Sequence, residues 1–131
     1  MDDTAPDGPP LGGTSWHINQ VADDQGRLLA VDTSHRQPGL AFDETNRVAG
    51  STGCNSFMGR CTIAGSEIEF GPLATTMMMC HDSAMTLERL ILAALGAARR
   101  WSVDGVQLTL LGEPYPSDPA ASVLLVAARP G

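Results

Sequence analysis

The chain has few basic and few aromatic residues, and each shortage rules out a class of partner. Of its 131 residues only eight are Lys or Arg, against fifteen Asp or Glu, giving a formal charge of −7 and a pI near 4.6. Phosphate backbones are bound by cations that displace condensed counterions, so a nucleic-acid partner is excluded. The six aromatics (two Trp, one Tyr, three Phe) are also too few for a base-stacking platform. No apolar run approaches the roughly 18 residues needed to span a bilayer as a helix. The N-terminus lacks the basic-then-apolar pattern of a signal segment. That absence fits either a cytoplasmic protein or a chain that begins after a removed signal or lipid anchor.

The chain does have enough apolar sequence for a core, with 43% hydrophobic and 18% charged residues. This suffices for one domain without disulfides or metal. Residues 1–13 are acidic and rich in Pro and Gly. They have little to bury, and read as a disordered linker that favours the anchored alternative. The domain is expected over 14–128, and no internal repeat is visible.

Short alternating segments follow. Trp16 and Ile18 share one face of a first strand, and Leu28, Leu29 and Val31 suit a short second one. Asp43 to Asn46 make a four-residue hairpin loop between Leu40–Phe42 and Arg47–Ala49. Phe57, Gly59, Cys61 and Ile63 fall on one face of the next strand, with Arg60 and Thr62 opposite. After a turn at Ala64–Ser66, Ile68 and Phe70 alternate with Glu67 and Glu69. A single helix is predicted over 82–98, because Ala84, Leu87, Leu90, Ile91, Ala94, Leu95 and Ala98 form one apolar stripe. Asp82 or Ser83 is the expected N-cap, and Arg99 and Arg100 suit the negative end of the helix dipole. Asp104–Gly105 then marks a hairpin, and residues 122–128 read as the last strand. The expected fold class is α+β: a mainly antiparallel curved sheet, or incomplete (cracked) β-barrel, packed around one late helix.

The segment GSTGCNSFMG (Gly50 to Gly59) carries Gly50, Gly53, Cys54, Asn55, Phe57 and Gly59. With Trp16, Phe70-Gly71-Pro72-Leu73, TTMMMC (Thr75 to Cys80), Glu88 and Leu95, it resembles the META domain, the family of heat-shock-inducible HslJ-like envelope proteins. The resemblance runs from about residue 14 to 127. It implies a cracked antiparallel barrel holding one helix, in secreted or membrane-anchored proteins associated with stress response and virulence, with no established enzymatic activity. An aromatic usual in that family is replaced by Cys61.

Cys54 and Cys80 lie in the two family motifs, 26 positions apart. Bridged, they would contribute about 3.5 kcal/mol in the chain-entropy model. Unbridged, they are two buried thiols acting as small apolar residues. Cys61 reads as a core thiol, with pairing to another chain as its alternative. Met77 to Asp82 (MMMCHD) offers soft ligands for Cu(I) or zinc, but neighbours in an extended segment diverge and His17 and His35 are isolated. Core-filling methionine is the better reading. A thiol enzyme would need Cys54 or Cys80 as nucleophile, His81 or His17 as base, and Asn55 or Asp82 to orient it. Gly50, Gly53, Asn55 and Gly59 are better read as bends that let a sheet curl, and Glu88 as a solvated residue or a bond to a loop.

The function expected is a non-enzymatic, stress-associated envelope or secreted domain. It would be monomeric, have no cofactor, and bind a protein partner or an apolar small ligand in the partial barrel. The alternative is the thiol or Cu/Zn enzyme using Cys54, Cys80 and His81.

Overall fold

The computed structural model describes residues 11–31, 36–113 and 122–129. Nine strands and one helix follow in the order β1 (Thr14–Ala22), β2 (Leu28–Ala30), β3 (Gly39–Phe42), β4 (Arg47–Ser51), β5 (Ser56–Ala64), β6 (Glu67–Thr75), α1 (Asp82–Ala97), β7 (Arg100–Asp104), β8 (Gln107–Leu111) and β9 (Val123–Ala128). All pairings are antiparallel.

The sheet runs β2-β1-β3-β4-β5-β6-β7-β8-β9, and β9 returns to pair with β1. Strand β1 serves three neighbours. Its first half, Thr14 to His17, pairs with β3, while Gln20 to Ala22 pairs with β2. Its other edge takes β9, through a bulge between Ile18 and Gln20. The sheet is therefore a curved ring with one weak seam. There β6 and β7 share a single ladder pair, Glu67 with Arg100. Two backbone bonds flank that pair, Ile68 N–H to Arg99 O at 2.9 Å and Trp101 N–H to Ser66 O at 2.9 Å. The helix packs against β1, β6 and β9.

Alternation along each strand explains which side chains reach the interior. Trp16, Ile18, Leu40, Phe42, Val48, Phe57, Cys61, Ile68 and Phe70 point inward, and their neighbours Ser15, His17, Ala49, Met58, Arg60 and Glu69 outward. Leu90, Ile91, Ala94 and Leu95 of α1 meet them from within. Burying one stripe of the helix and one face of the sheet together is the only way either hides its apolar side.

Two local expectations need correction. The helix N-cap is His81, which makes no side-chain cap bond, and Asp82 and Ser83 lie inside the first turn. Asp82 thus acts through its charge at the positive helix end rather than as a cap. The ordered sequence also begins before Thr14. Leu11 is 1% exposed, the Gly13 N–H bonds Phe42 O at 2.7 Å, and the Thr14 hydroxyl donates to Leu11 O. The rest of the expected linker, residues 1–10, lies outside the described residues. At the other helix end Arg99 Nη1 donates to Gly96 O at 3.2 Å and Ala98 O at 2.7 Å, satisfying terminal carbonyls. Arg100 belongs to β7 and reaches Gly112 O instead.

Candidate functional site

Most of the polar motif residues meet in one place, and they are occupied with one another. The turn between β4 and β5 contains Thr52 (0% exposed), Gly53, Cys54 (2%) and Asn55 (2%). Gly53 has φ +95°, a conformation that a side chain would strain. Thr52 Oγ1 accepts from the Cys54 and Asn55 N–H groups at 3.2 and 3.0 Å and donates to Glu88 Oε1 of α1 at 2.7 Å. Asn55 Oδ1 accepts from the Thr76 hydroxyl at 2.8 Å and the Met78 N–H at 2.7 Å. Its Nδ2 donates to Met78 O at 3.1 Å and to Glu88 Oε1 at 3.0 Å. One amide thus serves the strand-to-helix segment and the helix, satisfying buried groups that would otherwise each cost about 1–3 kcal/mol. Asn55 is a tertiary clasp more than a turn residue, and Glu88 is a loop bond rather than a solvated side chain.

A disulfide ties the same two segments. Cys54 is bonded to Cys80 (S–S 1.98 Å, Cα–Cα 6.1 Å). Both sulfurs are therefore committed, and the Cys–His arrangement for nucleophilic catalysis is not assembled. His17 faces outward from β1, opposite Gly39 and Ala128. His35 lies outside the described residues. Among the described residues no three His, Cys, Asp or Glu side chains come together in a metal-holding group. Cys61 is a buried free thiol, 3% exposed, whose pKa is pushed up by burial and then by the Asp43 charge.

The methionines overturn the expectation of core filling. Met77, Met78 and Met79 are 86%, 51% and 85% exposed, and Met58 is 61% exposed. The clasp uses the backbone of this segment, which leaves the thioethers outside. Met85 turns its thioether to the disulfide, with Sδ 3.8 Å from Cys54 Sγ.

The remaining motif glycines serve packing. A Cβ at Gly50 would stand 2.7 Å from Phe57 Cζ and 2.9 Å from Leu40 Cα. At Gly59 it would meet Leu73 Cδ2 and Pro72 O, both at 2.8 Å. The β5–β6 ladder shifts register between Gly59 and Cys61, so Gly71 and Pro72 stand opposite Arg60 alone. A bulge is where a strand tolerates proline, and it curls the sheet.

That curl borders a concavity outside the ring. The interior expected to hold an apolar ligand is filled by the protein's own side chains: Trp16, Ile18, Leu95, Leu108, Leu110 and Leu125 are each 0–1% exposed. On the outer face of β3 to β6 lies a groove of about 720 Å³. Its floor is a cross-strand row, Ala41 opposite Ala49, Ala49 opposite Met58, and Met58 opposite Ala74. One rim carries Arg47 and Arg60, themselves directly paired across β4 and β5. Asp43 stands at the end of that rim. Its carboxylate is drawn into its own turn by the Thr45 N–H (2.7 Å), the Thr45 hydroxyl (2.9 Å) and the Arg47 N–H (3.1 Å), which hold its pKa below the usual range. A smaller notch of about 190 Å³ lies between β2 and α1, among Val21, Leu29, Val31, Leu87 and Leu90. The residues of the large groove were missed in sequence because small outward alanines carry no motif. They become visible only when strand register places them side by side.

Comparison with known proteins supports the architecture. Among solved structures, a protein from Burkholderia xenovorans solved by NMR superposes with a TM-score of 0.73 at 23% identity, covering 99% of this chain and 94% of that one. A second NMR structure gives 0.66 at 24% identity, with 91% of each chain covered. A DUF4847 family protein from Bacteroides vulgatus gives 0.59 at 12%, with 90% and 93% covered. At these identities the likeness concerns the fold. No curated protein sequence matches the chain. The META domain family model matches residues 9–122, nearly the whole chain, and the protein belongs to the META domain family.

Proposed function

We propose that this META domain is a non-enzymatic binding module of the cell envelope or secreted space, associated with stress response, which presents its outer groove to a ligand or partner. The observation that carries the reading is how the polar and sulfur chemistry of the motif is spent. Thr52, Asn55 and Glu88 bond one another, and Cys54 bonds Cys80. Beside that spent chemistry an accessible groove remains, with a concave apolar floor and Arg47, Arg60 and Asp43 on its rim. Clefts of this size, mostly apolar with a few placed polar groups, are the usual form of small-ligand sites. The compartment is supported by the disulfide, since such bonds persist in oxidising environments and are rare in the cytosol. No helix is long and apolar enough to cross a membrane among the described residues.

Fractionation of the source cells with thiol counting on the protein as isolated tests the compartment. The expected result is protein in the envelope or extracellular fraction, with Cys61 as its one free thiol after denaturation. Cytosolic protein with three free thiols would refute it.

A further inference from the structure

The groove on the outer face of β3 to β6 holds an unbalanced charge. All eight basic residues of the chain are arginines, and several have visible structural work. Arg89 pairs with Asp24 at 2.9 Å, Arg99 bonds the carbonyls at the end of α1, Arg100 bonds Gly112 O, and Arg129 lies over the Trp16 ring, 5.1 Å from its centroid. Arg47 and Arg60 differ. They are directly opposite each other on adjacent strands, exposed, and neither guanidinium forms a hydrogen bond or ion pair with a described residue. Like charges directly opposite on a sheet are destabilising. In a protein of net charge −7, such a pair is placed against the overall field of the molecule.

Beside that pair the surface is not the polar face normal for an outward-facing sheet. It is the row Ala41, Ala49, Met58 and Ala74, with Pro72 alongside. The one carboxylate among the groove-lining residues, Asp43, already accepts from three donors of its own turn. The rim therefore carries two positive charges, neither in an ion pair with a described residue, against the single Asp43 carboxylate, which also feels the Arg47 charge.

Resting on the reading of the groove as the binding site, we propose that it takes a small organic anion with an apolar body. The carboxylate or equivalent head group lies between Arg47 and Arg60, and the apolar part lies along the alanine row against Met58. Guanidinium groups match a carboxylate with paired, charge-assisted hydrogen bonds, and they relieve their own repulsion by sharing the anion. The small alanine side chains leave depth for the ligand. Met58, with a flexible thioether, adapts to its shape.

The experiment uses octanoate, octanol and octylammonium as probes, below their micellar concentrations, on the intact oxidised chain followed by amide chemical shifts. Octanoate is expected to shift residues of β3 to β6 around Ala49 and Met58. It should bind at least about tenfold more tightly than octanol, the scale of one charge-assisted bond. Arg47→Gln and Arg60→Gln each remove most of that difference, whereas Arg27→Gln in the β1–β2 turn leaves it intact. Ala49→Trp abolishes binding of all probes by filling the floor. All four substituted sites are exposed, so retained thermal stability of the variants shows that folding is unaffected. Equal binding of octanol and octanoate in the groove overturns the anion preference while leaving the groove as a binding site. Preferential binding of octylammonium does the same. If no probe perturbs β3 to β6, the anion proposal and the reading of the groove as the binding site both fall.

Discussion

Replacing Asn55 by Asp changes the clasp by one atom and reverses its chemistry. The amide nitrogen that donates to Met78 O (3.1 Å) and to Glu88 Oε1 (3.0 Å) becomes an oxygen facing two oxygens. Two full charges 3 Å apart at an effective dielectric of about 20 repel by roughly 5–6 kcal/mol. Taking up a proton is less costly. Raising one carboxyl pKa from about 4 to 7 costs about 4 kcal/mol, and the resulting acid regains one hydrogen bond worth about 1 kcal/mol. Glu88 is only half-buried, and solvent lowers the sum further, so Asn55→Asp is expected to cost about 2–3 kcal/mol at pH 7.

The sign with pH follows from the direction of that shift. The variant's folded carboxyl pair holds a proton that the unfolded chain has released. The penalty therefore grows as pH rises above about 4 and largely vanishes near pH 4. Urea titrations followed by the fluorescence of the buried Trp16 and Trp101 measure both. Glu88→Gln in the Asn55→Asp background returns a donor to the pair, and should recover at least half of the loss in a double-mutant cycle. A cost that is the same at pH 4 and pH 7, or a second substitution that recovers nothing, would show that Asn55 and Glu88 are not coupled as described.

Three other outcomes follow from the same structure. Cys54→Ala with Cys80→Ala, or reduction of the wild type, should lower stability by about 3.5 kcal/mol through loss of the 26-residue cross-link, and a denaturation midpoint that does not move would contradict it. Gly50→Ala should cost about 2 kcal/mol or more, because its Cβ has no room beside Phe57 and Leu40, and native-like stability of this variant would refute that packing. The raised pKa of Cys61 predicts slow alkylation of the native protein and stability that declines as pH rises past about 8.5, where the unfolded thiol ionises first. Cys61→Ala should flatten that decline, and an unchanged slope would count against it.

How far the sequence was legible depended on whether the signal was local. The helix stripe through Leu90, Ile91, Ala94 and Leu95 was readable because burial of one helix face leaves a period in the chain. The Asp104–Gly105 hairpin was readable for a similar reason, since Gly105 takes φ +64° where a turn requires it. Met77 to Met79 were misread because methionine composition does not say which way a segment faces. The direction is set by Asn55 bonding the Met78 backbone from 23 residues away. Leu11 was misread because its polar neighbours resemble a linker, whereas burial of its side chain and the Gly13 bond to the Phe42 carbonyl across the sheet hold that segment down. The Arg47–Arg60 pair belongs to the same class. Its two members look like ordinary solubilising charges until register puts them side by side.

The pairing of β1 with β9 has a consequence for how the molecule comes into being. Trp16 and Ile18 reach their final environment only after Leu125 to Ala128 exist to close the ring beside them. Contacts between strands so distant in sequence form slowly, because the loop-closure entropy is lost before any contact repays it. The nascent chain therefore cannot complete its tertiary structure while its last strand is still being synthesised.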